Sequence, residues 1–240
     1  MKEISDDVEK LYALRVDTLY NHSVIPVAVT LCGALLLTVI FWNNKNIPGL
    51  LAWFTLLLLI TGIRYYFVNR YHNTSRKPGE YRYWLNIYFA GAILAGMVWG
   101  TSPYIIVNDK NIADIVLLNM FILVLISGSI GIYCIFQRIY FGFNLPAIVP
   151  LIFYLLTHND TLLQRLGIIT IVFAVFIFII ELQAYKIINQ LLIIKLDNSL
   201  LIESYDKDQL KINTLQSLNE LRANQLKKAL AELNFLRKKN

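Results

Sequence analysis

The chain has 240 residues, 57% of them hydrophobic and 16% charged, with a net charge of +6. Soluble domains sit at roughly 45–50% apolar and about 25% charged, so this composition argues against a water-soluble globule. The two cysteines, Cys32 and Cys134, lie inside apolar runs, which excludes a disulfide framework or zinc cluster and reads as two buried, inert thiols.

The chain opens on an acidic stretch: Glu3, Asp6, Asp7, Glu9 and Asp17 fall within the first 22 residues. A cleavable signal peptide opens with basic residues instead, so this segment is expected to be retained. Val8, Leu11, Tyr12, Arg15, Val16 and Leu19 recur at helical spacing, and Ser5 or Asp6 is placed to cap the start. Residues 1–22 are therefore expected to form an amphipathic helix along the membrane interface, its acids toward the cytosol.

Six apolar runs follow, at about 24–42, 50–68, 84–107, 115–136, 141–157 and 166–188. A hydrocarbon core of about 30 Å takes ~20 helical residues, and only a helix satisfies its own backbone in lipid this simply. The predicted fold is an all-α integral membrane protein with a six-helix transmembrane bundle over residues 23–188. The fifth run is short and carries Pro146 and Pro150, which a membrane helix tolerates with a kink. Placing both termini in the cytoplasm puts 19 of the 22 basic residues inside, leaving Lys45, Lys110 and Arg165 outside. The second loop, with Arg70, Arg76, Lys77 and Arg82, then reads as a topology signal in contact with anionic lipid. It is too short to form a nucleic-acid face.

Small residues recur every four positions in the third run, at Ala92, Gly96 and Gly100, and again at Ser127 and Gly131 in the fourth. With Pro146 and Pro150 they are the expected helix-packing positions, and a close, slidable contact of the third and fourth spans is the functional reading. Arg64 lies four residues from the end of its run and is expected to snorkel outward. Glu181, near Lys186, reads as a solvated or ion-paired interfacial acid. Trp42, Trp53, Trp84 and Trp99 read as interfacial belts. For a small ligand, the expected lining is Asn86, Trp99, Asn119 and Asn144.

From Ile168 to Asn240 there is neither glycine nor proline. The sixth span is thus expected to continue into the cytosol as one rod of about 110 Å, with residues 189–240 forming a coiled coil. One core position takes Tyr205, Ile212, Asn219, Leu226 and Leu233. The other takes Leu201, Leu215, Ala229 and Leu236, interrupted by Asp208 and Arg222. A parallel homodimer would cover this stripe, with Asn219 fixing register.

In order along the chain stand LRVDTLY, WFTLLLLITGIRYYFVNRY, YWLNIYFAGAILAGMVWG, LISGSIGIY, FGFNLPAIVPLIFYLL and LIIKLDNSLLIE. This series resembles the six-span N-terminal region of bacterial membrane GGDEF diguanylate cyclases and hybrid sensor histidine kinases. Its marks are Arg64, the Gly91, Gly96, Trp99, Gly100 pattern of the third span, and the Pro146, Pro150 pair of the fifth. The resemblance implies a bacterial inner-membrane location and a sixth helix that runs through a coil into an output domain. No GGDEF motif or kinase phosphoacceptor segment occurs here; the histidines are His22, His72 and His158. With no P-loop, metal-spaced pair or nucleophile elbow, the chain is expected to be no enzyme and to carry no cofactor. A sensory and dimerisation module is the expected function, taking an unknown small ligand or lipid as signal and binding no nucleic acid. A small transporter or channel, or a passive anchor whose coil recruits a partner, are the alternatives.

Overall fold

The computed structural model describes the backbone of residues 2–42, 46–77, 79–107 and 111–239, and the side chains of those segments from Val8 to Ala229. Among the described residues there are seven helices and no strand. They are α1 (Lys2–Asn21), α2 (Val24–Ile40), α3 (Ile47–His72), α4 (Tyr81–Ile106), α5 (Ile112–Tyr133), α6 (Gln137–Thr157) and α7 (Thr161–Lys239). Six helical stretches, each containing one of α2–α7, are long and apolar enough to cross a membrane. The chain divides into two compact units, the first ending at Leu192 and the second beginning at Ile193.

Helix starts in the first unit are set by short polar side chains. Asn46 accepts a hydrogen bond from the Gly49 amide (3.1 Å), beside Pro48 in the first turn of α3. Its amide nitrogen also donates to the Ile105 carbonyl (3.0 Å), tying the start of α3 to the end of α4. Asn111 opens α5 by accepting from Ala113, and Asp160 opens α7 by accepting from Leu162 at 2.7 Å. Pro103 lies inside α4, where it leaves the Trp99 carbonyl without its helical donor; the Ser102 hydroxyl bonds that carbonyl instead.

α4 is the centre of this unit. It packs along α6 on one side and α3 on another, with α2 against α3 and smaller contacts to α1 and α5. The α4–α6 seam is a backbone-to-backbone approach. A Cβ at Gly96 would run into the Phe143 carbonyl oxygen, and one at Gly100 into that of Pro146, with Pro150 close by. Ala92 continues the stripe, fully buried. The small residues of α4 thus meet the proline-bearing helix rather than α5. Gly131 faces open space, and Ser127 turns its hydroxyl back onto the Leu123 carbonyl, so the expected slidable contact between the third and fourth spans is not formed.

α1 departs from a free interfacial helix. Its Val16, Leu19 and Tyr20 are buried in the same core as the apolar helices. Tyr20 stacks on Tyr71 at 3.8 Å and donates to the Trp84 carbonyl at 2.8 Å, while Asp17 accepts from Tyr71 and pairs with Arg76 at 3.3 Å. Arg76 is therefore held by protein groups and not left for lipid. The helix begins at Lys2, ahead of the expected caps Ser5 and Asp6, whose side chains lie outside the described residues.

Tryptophan placement also differs from the belt expectation. Trp53, Trp84 and Trp99 are buried and only Trp42 is exposed. Trp53 donates to the Val98 carbonyl at 2.8 Å and meets Trp99 edge to face. Both cysteines are free thiols, Cys134 buried but Cys32 exposed on α2.

The second unit is the C-terminal part of α7. Its expected core positions Leu201, Tyr205, Ile212, Leu215 and Leu226 are exposed, as are Asn219 and the interrupting Asp208 and Arg222. A Lys207–Glu203 pair at 2.7 Å braces this stretch. Leu233 and Leu236 lie outside the described side chains.

Candidate functional site

α3 extends past its apolar run to His72, so Arg64 sits about 12 Å inside the helix end rather than at it. The side chain crosses onto α4 where Gly91 leaves room: a Cβ there would come within 2.9 Å of the Arg64 Cγ. Arg64 is 7% exposed, so it does not snorkel outward as expected. Its Nη2 donates to the Tyr133 hydroxyl at 2.9 Å, and the guanidinium carbon lies 5.6 Å from the centre of the Tyr88 ring. Nη1 is buried and makes no hydrogen bond, and neither does the Tyr88 hydroxyl. Among the described residues no carboxylate pairs with Arg64.

Arg64, Tyr88 and Gly91 line a cavity of about 240 Å³, together with Tyr20 and Ser23 at the α1–α2 junction and Ile63, Phe67, Ile87 and Leu94. A second cavity, of about 210 Å³, lies between α2 and α5 and is walled by Thr30, Phe121, Ser129 and Phe143. Tyr133 lines the second cavity and accepts from the arginine of the first, so it links the two.

The four expected ligand-lining residues do not come together. Asn86 is exposed and accepts a long bond from Arg138 at 3.4 Å. Trp99 is core, stacked on Phe121. Asn144 exchanges hydrogen bonds with Ser129, joining α6 to α5. Asn119 accepts from Thr170 at 3.0 Å, joining α5 to α7. None of the four lines the Arg64 cavity. Sequence reading missed Tyr88, Tyr133 and Ser23; the signal present was an arginine and a glycine, Gly91, in adjacent apolar helices.

A second ionisable group is buried on α7. Glu181 is 0% exposed and both its carboxylate oxygens lack a hydrogen-bond partner. Among the described residues it is neither solvated nor paired with Lys186, contrary to expectation. A buried carboxylate without a partner is energetically costly.

Against protein-family models, curated proteins and solved structures, the chain shows no match.

Proposed function

We propose that this chain is a membrane-embedded sensory and dimerisation module of a bacterial signalling protein, with both termini in the cytoplasm. The observation that carries the reading is α7, a single helix from Thr161 to Lys239. Its first half is long and apolar enough to span a bilayer, and its second half exposes apolar residues at heptad spacing. A helix with such a stripe is stable in water when a second copy covers it. A ligand held better by one arrangement of the bundle than another would shift α7 and hence the coil. The resemblance to the six-span regions of diguanylate cyclases and sensor kinases supports the same reading.

Single cysteines at Ile212 and Leu226, in a background lacking Cys32 and Cys134, test it in native membranes. Symmetric disulfide crosslinks at both positions are expected. Their absence removes the dimeric-coil mechanism.

Glu181 favours a second reading, since an unpartnered carboxylate among apolar helices is a common feature of proton-coupled transport. Proton flux into liposomes that disappears in Glu181→Gln would favour a transporter.

A further inference from the structure

We infer that the Arg64 cavity binds an anionic amphiphile, its oxyanion head on the guanidinium and its chain toward Ile63 and Leu94. The argument begins with charge. A guanidinium stays protonated at any pH a protein meets, so Arg64 carries its charge into the interior. Its one hydrogen-bond partner, Tyr133, is a neutral phenol. Neither nearby acid serves as its counter-charge: Asp17 is held by Tyr71 and Arg76, and Glu181 of α7 forms no ion pair with it. A buried cation without a counter-charge is strongly unfavourable, and an oxyanion from outside the chain would supply one.

Donors for such a head belong to residues of the cavity wall. Arg64 and Tyr88 both line the cavity, and Nη1 of the one and the hydroxyl of the other are buried without a partner. One oxyanion can accept from both, in the forked geometry that arginine favours. The remaining wall is almost wholly apolar, which suits a hydrocarbon chain and not a free inorganic anion. Ile63 and Leu94 are 56% and 50% exposed, so the cavity opens on the outward face of α3 and α4, where lipid would lie. At ~30 Å³ for a water-sized group, 240 Å³ takes a head and several methylenes. The shared chemistry is a carboxylate or phosphate on an alkyl chain, from a fatty acid or an anionic phospholipid. The inference rests on the reading of the bundle as membrane-embedded, and its readout is binding alone.

Native mass spectrometry of the full chain in a neutral maltoside detergent, with decanoate, decyl phosphate and decanol as probes, tests it. Wild type is expected to hold decanoate or decyl phosphate at least about tenfold more tightly than decanol, a preference that Arg64→Gln loses. Preference for decanoate assigns a fatty acid, and preference for decyl phosphate assigns a phospholipid head. Leu94→Trp fills the mouth and leaves Arg64 in place, so it is expected to lose both anions; it decides the matter where Arg64→Gln does not fold. Equal retention of all three probes, or unchanged anion binding in Leu94→Trp or folded Arg64→Gln, overturns the inference. Symmetric coil crosslinks beside failed anion binding would leave the signalling reading standing and remove only this one.

Discussion

The α4–α6 pair and the α7 segment up to Leu192 hold to the same bundle by opposite means. Along α4 and α6, glycines bring one backbone against the carbonyls of the other, and almost every facing residue is buried. Along α7, contact is a series of points: the Thr170–Asn119 hydrogen bond, Phe178 against Phe141, and Gly167 under Leu155 and Leu156. Between those points Ile168, Ile169, Val172, Val175 and Phe176 are exposed. Where lipid is as apolar as leucine, close packing of small residues is what holds helices together. The difference teaches that α4–α6 is the fixed frame, and that α7 is the element a modest change in free energy can shift.

Breaking the frame should have the largest effect. Gly96→Leu places a branched chain where the Phe143 carbonyl stands, and is expected to cost about 3 kcal/mol or more, seen as loss of folded protein in thermal unfolding by size-exclusion fluorescence. Next comes Glu181→Leu, which removes a buried carboxylate without partners. It is expected to stabilise by about 1–3 kcal/mol in the same assay. A drop in stability there would show that Glu181 has a partner in solution. Asn119→Leu removes a point contact on α7 and is expected to cost only ~0.6–1.7 kcal/mol, while broadening the distance distribution between spin labels on α5 and α7. The smallest effect belongs to Gly131→Ala. That site faces open space, so the change is expected to stay within about 0.5 kcal/mol, unlike the same spacing of small residues in α4.

Helix number and rough position were legible because a run of apolar residues at bilayer length admits little else. The stripe at Ala92, Gly96 and Gly100 was legible as a packing surface, but not its partner. What meets it on α6 is main-chain carbonyl, which has no sequence signature, whereas the Ser127 and Gly131 spacing on α5 looked like a match and is not. Arg64 was misread for a related reason. Its distance from the end of an apolar run says how far a side chain must reach for water, but α3 continues to His72 and Gly91 offers a nearer space. Polar residues such as Asn119 and Asn144 read equally as ligand groups or interhelix ties; their hydrogen bonds to Thr170 and Ser129 make them ties. α1 was half legible: its apolar face was evident, but only the structure shows that Tyr71 and Trp84, rather than lipid, receive it.

The account depends on α7 carrying movement along its own length. Nitroxide labels placed one at a time from Lys186 to Ser199, with the protein in lipid nanodiscs, measure this directly through their mobility. A helical periodicity that persists across every position is the expected result. Uniformly high mobility through that stretch would contradict the account, because a shift in the bundle would then be lost before it reached the heptads.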